Sequence, residues 1–221
     1  MAEAARARLA ILISGRGGNM VAIAQACRSG RIPADIVSVI SDEPDAGGLQ
    51  RARDLGLHAV AVDRRSFSQA GRPDTAAFEA ALGEAIDAGR PGYVILAGFM
   101  RVLSGAFATR YAGRMLNIHP SLLPRYKGLD THARVLAAGD ARHGASVHFV
   151  TPELDGGPLI AQAVVDVLPG DDVAAVSGRV HAWEHKLYPM VIEWLVRGRL
   201  QWNGGHPLLD GAPLAAPVRI H

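Results

Sequence analysis

The stretch LAILISGRGGNMVAIAQACR, residues 9–28, decides the fold. It opens on an apolar run of strand length that ends at Ser14, and from Asn19 onward its apolar residues recur at helical spacing. A buried strand therefore passes into a helix through a short glycine-rich turn. The pattern repeats along the chain. Runs at 36–41, 59–62, 93–97 and 114–118 read as further short strands, with helix patterns near 19–28, 48–55, 75–88 and 105–111. That alternation predicts an α/β protein with a mainly parallel twisted sheet and helices on both faces. Right-handed crossovers leave few topologies, and ligands in such folds bind beyond the carboxyl ends of the strands.

The rhythm changes after Asn117. A loop at 120–128, punctuated by Pro and Gly, leads to a helix near 132–138 and a strand at 145–150. A turn-rich link at 151–158 and a strand at 159–167 follow. Asp171 or Asp172 can cap a long last helix ending about Val196, and Pro189 within it should bend or break it. Residues 204–221 are rich in Pro and Gly and read as a loosely held tail.

Composition narrows the class. With 49% hydrophobic and 20% charged residues over 221 positions, the chain is an ordinary globular protein, neither disordered nor fibrous. Its one cysteine, Cys27, excludes a disulfide framework and any multi-cysteine metal site, and fits a reducing cytoplasm. Lysine and arginine number 23 against 21 acidic residues, and aromatics make up only 5%, so no nucleic-acid surface is expected. Residues 1–7 are charged and alanine-rich, and the apolar run at 9–13 is too short for a signal-peptide core. No stretch is long enough to span a bilayer.

Three places can carry chemistry. Residues 14–19, SGRGGN, join the first strand to the first helix. Met20 stands where a dinucleotide fingerprint needs its third glycine, and no Gly-Lys-Ser/Thr follows, so neither that fingerprint nor a Walker loop is present. A plain βα turn or a cradle for a single phosphate remains, with helix N–H groups and the Asn19 amide as donors. Asn117 and His119 lie two apart at a strand end and should project to one face. An amide beside an imidazole can stabilise an oxyanion and move a proton, although a structural histidine would look the same. Asp155, in LDGGP, is by default a turn residue. If it faces His119, its charge favours the protonated imidazole. Nine histidines, among them His132, His143, His148, His181 and His185, raise the question of a metal. None of their spacings matches HExxH or a Cys/His zinc pattern, so no metal is expected.

In order along the chain stand ILISGRGGN (11–19), LAGFMRVLS (96–104), LNIHPSLLPRYKGLDTH (116–132), HGASVHFVTPELDGGP (143–158) and EHKLYP (184–189). Together they resemble the glycinamide ribonucleotide formyltransferases, folate-dependent enzymes of purine biosynthesis. The resemblance implies a Rossmann-like formyltransferase fold with an antiparallel C-terminal part, as a single domain over 1–221. Its phosphate-binding half would cover about 8–118 and its catalytic and folate-side half about 119–203, with a tail at 204–221. It puts the phosphate of phosphoribosylglycinamide on Gly17, Gly18 and Asn19, and its ribose on Glu184. It puts the folate on Met100, Arg101, Val102 and Leu103, with Arg72 and Asn117 as further contacts. Asn117, His119 and Asp155 become the catalytic trio, and 10-formyltetrahydrofolate the formyl donor, with no metal. A cytoplasmic monomer or homodimer is implied, without nucleic-acid or membrane partners. Two positions depart from the family pattern: Gly18 replaces a common serine and Asp130 a common histidine. The resemblance leaves two alternatives, a formyltetrahydrofolate hydrolase and a non-catalytic phosphoribosyl-ligand sensor. A methionyl-tRNA formyltransferase would carry an additional RNA-binding domain after the catalytic one.

Overall fold

The structure is a computed structural model and describes residues 6–69 and 71–221. Most of residues 1–7 thus lie outside the described residues. In chain order the elements are β1 (Ala7–Ile13), α1 (Gly18–Arg28), β2 (Ala34–Ser41), α2 (Gly47–Asp54) and β3 (Ala59–Ala61). A two-residue hairpin, β4 (Ser68–Gln69) and β5 (Arg72–Pro73), precedes α3 (Thr75–Ala88), β6 (Tyr93–Leu96), α4 (Gly105–Arg110) and β7 (Met115–His119). Then come α5 (Thr131–Ala137), β8 (Arg142–Phe149), β9 (Leu159–Asp166) and α6 (Val173–Val196). The chain ends with β10 (Leu200–Asn203), β11 (His206–Leu209), β12 (Ala212–Pro213) and β13 (Val218–Ile220).

Eight strands form the main sheet in the order β13-β9-β8-β7-β6-β1-β2-β3. From β3 to β7 all neighbours are parallel, while β8 runs antiparallel to both β7 and β9. The chain builds outward from β1 through β2 to β3, then returns to the other side of β1 with β6 and β7. The strand order thus reverses between β1 and β6, and the loops leaving the carboxyl ends of β1, β6 and β7 open on the crevice at that switch point.

Strand β1 explains the packing. Its residues Leu9 to Ile13 are wholly buried, as a central strand covered on both faces must be. Leu9, Ile11 and Ile13 join Met20, Ile23, Val180, Leu187 and Val191 in the layer under α1 and α6. Ala10 and Leu12 point the other way, to Phe78, Leu82, Ile86 and Phe107 of α3 and α4. The period-2 alternation of one strand builds both cores. Side-chain caps start three of the helices: Asp74 accepts from Ala77 N–H, Ser104 from Phe107 N–H and Asp172 from Ala175 N–H. Asp171 instead pairs with Arg179.

The last segment differs from the expected loose tail. β10 and β11 form a hairpin around Gly204 and Gly205, both at positive φ, and β12 adds a third antiparallel strand. β13 then pairs in parallel with β9 at the sheet edge, and Trp202 packs against Phe149 with ring centroids 4.8 Å apart and the planes tilted by 60°. Here the Pro and Gly residues mark turns between short strands, not disorder. Helix α6 likewise runs through Pro189 without a break. Among the described residues, no helix is long and apolar enough to cross a membrane.

Candidate active site

The loop after β1 turns into α1 at Gly17, whose φ of 71° is left-handed. A Cβ there would lie 3.0 Å from the Gly48 Cα, so both the backbone conformation and the close approach require glycine. No side chain caps α1, and its first N–H groups face outward with the positive end of the helix dipole behind them. A Cβ built on Gly18 would lie 2.9 Å from His185 Nε2, so the His185 ring stands over this end of the loop. Asn19 is buried; its Nδ2 donates to Glu184 Oε2 at 2.9 Å, while its Oδ1 has no partner. Glu184 is itself only 4% exposed. Burial raises its pKa, and the Asn19 hydrogen bond partly offsets that. Four residues on, Tyr188 shares its hydroxyl proton between Leu96 O and Leu116 O, each at 3.0 Å. That bond anchors α6 to β6 and β7, and Glu184 one turn earlier meets Asn19 at the glycine-rich loop.

At the end of β7, Asn117 and His119 come to one face as their spacing predicts. His119 donates from Nε2 to Tyr126 O at 2.8 Å, and its Nδ1 lies 3.5 Å from Asp155 Oδ2. The second distance is longer than a formed hydrogen bond but brings the carboxylate against the ring. Asp155 has a φ of 46°, and its Oδ2 accepts from Gly128 N–H at 2.9 Å. The glycines beside it let this turn press against β8, since a Cβ at Gly157 would stand 1.8 Å from Phe149 O. The expected trio is thus brought together from two segments, β7 and the turn at 151–158, while the loop between β7 and α5 holds His119 and Asp155 through Tyr126 O and Gly128 N–H.

His148 belongs to the same cluster, and the reading of motifs did not find it. The antiparallel register pairs Asn117 with His148 across β7 and β8. His148 Nδ1 donates to Phe149 O at 2.8 Å, so Nε2 of the neutral ring is the acceptor and takes a hydrogen bond from Asn117 Nδ2 at 3.2 Å. Burial pushes the His148 pKa down, which keeps the ring neutral and able to accept. This bond fixes the Asn117 amide with its NH2 group toward His148, leaving its second N–H for another acceptor. Asp155 Oδ1 is 3.9 Å from the same Nε2, so one carboxylate faces both histidines.

The loop after β6 holds Met100 and Val102, 63% and 70% exposed, with Arg101 and Leu103. Large apolar side chains left so open beside a polar cluster suit a ligand with a flat apolar body. Arg72 lies exposed in β5, and no described contact joins it to the other site residues. Among the described residues, no group of three or more His, Cys, Asp or Glu side chains is arranged to hold a metal ion. Asp130 starts α5 with a left-handed φ of 56° and makes no side-chain cap.

A family model described as formyl transferase matches residues 7–192. The phosphoribosylglycinamide formyltransferase of Escherichia coli (strain K12) is 47% identical over 206 residues, covering 93% of this chain and 95% of that protein. A solved phosphoribosylglycinamide formyltransferase from Coxiella burnetii superposes with a TM-score of 0.91 at 44% identity, covering 98% of this chain and all of that one. A formyltetrahydrofolate deformylase from Burkholderia mallei superposes at 0.81 with 28% identity, and 70% of that chain is matched. By matched length, identity and superposition together, the chain belongs to the formyl transferase family, among the phosphoribosylglycinamide formyltransferases.

Proposed function

We propose that this enzyme transfers the formyl group of 10-formyltetrahydrofolate to the glycinamide amine of 5-phosphoribosylglycinamide. One observation carries the reading: the uncapped amino end of α1, after β1, and the Asn117–His119–Asp155 cluster at the end of β7 share one crevice. Only β6 separates the two strands, so at ordinary strand spacing they lie about 10 Å apart. That span suits a molecule with a phosphate at one end of a ribose and an amine at the other. The N–H groups of Gly18 and Asn19 meet the phosphate, with Gly17 providing the turn. Glu184, buried and held by Asn19, accepts from a ribose hydroxyl. The donor lies along Met100, Arg101, Val102 and Leu103, with the formyl group reaching Asn117, and the exposed Arg72 is a further contact for its distal end.

The amine attacks the formyl carbon. A C–N bond forms, and the carbonyl electron pair moves to oxygen, giving a tetrahedral intermediate. The free Asn117 Nδ2–H donates to that oxyanion, and His119 donates to it by exchanging the Tyr126 carbonyl for the stronger, charged acceptor. Asp155, 3.5 Å from Nδ1, stabilises the imidazolium. Collapse of the intermediate breaks the bond from the formyl carbon to N10. The departing nitrogen takes a proton from His119 or from an ordered water, and the attacking amine loses one, with Asp155 assisting.

The test supplies 10-formyltetrahydrofolate with and without phosphoribosylglycinamide and follows tetrahydrofolate and formate. Tetrahydrofolate is expected only when the acceptor is present, without free formate. Formate release without acceptor would replace this reading with a hydrolase, the activity named for the structural relative from Burkholderia mallei. Binding without turnover would make the chain a ligand-binding protein.

A further inference from the structure

The loop at 100–103 is polar backbone under exposed apolar side chains. Among the described residues, the N–H groups of Arg101, Val102 and Leu103 find no acceptor within the protein. Such a stretch has nothing of its own to keep it in one shape. Its two ends, however, are held by carboxylates that the transfer chemistry does not use. At the amino end, Met100 N–H donates to Ser14 Oγ at 2.8 Å, and that hydroxyl donates to Asp42 Oδ1 at 2.6 Å. Asp42 is 1% exposed, and its other oxygen lies 3.7 Å from Arg64 Nε and 4.0 Å from Arg101 Nε. At the carboxyl end, Glu79 of α3 accepts from Ser104 N–H at 2.6 Å and from the Ser104 hydroxyl. That same oxygen of Ser104 caps α4 through Phe107 N–H. Glu79 is buried, and among the described residues no cation pairs with it.

A buried carboxylate is costly unless hydrogen bonds compensate it, and an apolar residue would fill either place without desolvating a charge. What these two residues supply is capture of the loop. We propose that Asp42, acting through Ser14, and Glu79 are positioning residues for the formyl donor. They clamp Met100 and Ser104 so that the free amides between them face a heterocycle edge with alternating donors and acceptors, such as a pterin. The inference rests on the proposed folate-binding role of this loop and adds the residues that hold it in shape.

The test uses Ser14→Ala, Glu79→Ala and Glu79→Gln, with KM measured separately for 10-formyltetrahydrofolate and phosphoribosylglycinamide. Each alanine variant is expected to raise the donor KM about tenfold while the acceptor KM stays within about twofold. Glu79→Gln keeps an oxygen for Ser104 N–H and should recover most of the loss. Equal rises in both KM values, or a lowered Tm with both KM values unchanged, would overturn the proposal. Calorimetric binding of the donor to the unaltered enzyme separates the two levels of the claim. No donor binding there removes the folate-binding role itself. Donor binding that is equally tight in the alanine variants removes only the clamp.

Discussion

Replacing His119 with alanine is expected to lower kcat for formyl transfer by about 10³-fold, with both KM values within about threefold of the unaltered enzyme. The size follows from what the ring does in the proposed step. Losing one oxyanion donor costs about 2.7–4 kcal/mol of transition-state stabilisation, and the proton delivered to N10 is lost with it. Ground-state binding should survive, because the proposed phosphate cradle lies between β1 and α1 and the proposed donor loop follows β6. His119 is 6% exposed and its Nε2 is bonded to Tyr126 O, so truncation leaves a partly buried carbonyl unpaired. His119→Asn, which can still donate to that carbonyl, separates a chemical effect from a local packing one. A kcat loss in both variants with unchanged Tm is the expected pattern. Turnover near that of the unaltered enzyme in His119→Ala would remove this residue from the mechanism.

Replacing Asp155 with asparagine is expected to lower kcat about 10²-fold with little change in either KM. Asparagine keeps an oxygen for Gly128 N–H and tolerates the left-handed backbone at this position, so the turn should hold its shape. What disappears is the negative charge 3.5 Å from His119 Nδ1. A unit charge pair at about 4 Å is worth roughly 4 kcal/mol at the effective dielectric of a protein surface, an upper bound that solvent exchange reduces. Because Asp155 acts chiefly through His119, the double variant should be far faster than the product of the two single losses predicts. Fully multiplied losses would mean that Asp155 works on the substrate independently of the imidazole.

The sequence disclosed the parallel half of the fold because that half is written locally. Each of β1, β2, β6 and β7 is a short apolar run next to a helix pattern, and the structure moves their ends by at most two residues. Asn117 and His119 were legible for the same reason: residues two apart on a strand share a face whatever surrounds them. Asp155 could be named only as conditional, since its meeting with His119 depends on two loops folding toward each other. His148 was invisible to motif reading. Its partnership with Asn117, 31 positions away, is a matter of register between antiparallel strands, and no local pattern encodes it. The C-terminal strands failed differently. Gly204, Gly205 and the prolines punctuate runs of two to four residues, too short to show alternation, and β13 becomes a strand only by pairing with β9. Ser14, Asp42 and Glu79 read as ordinary strand-end and helix residues until the loop they hold is in view.

In the proposed reaction the phosphate cradle and the trio act on one pair of substrates in one crevice. A crystal structure of the enzyme with phosphoribosylglycinamide and a donor analogue that cannot release its formyl-like group tests it most directly. The phosphate should sit on the N–H groups of Gly18 and Asn19, and the formyl-like oxygen within hydrogen-bonding distance of Asn117 Nδ2 and His119. A phosphate bound elsewhere, or an oxygen facing neither residue, would contradict the account.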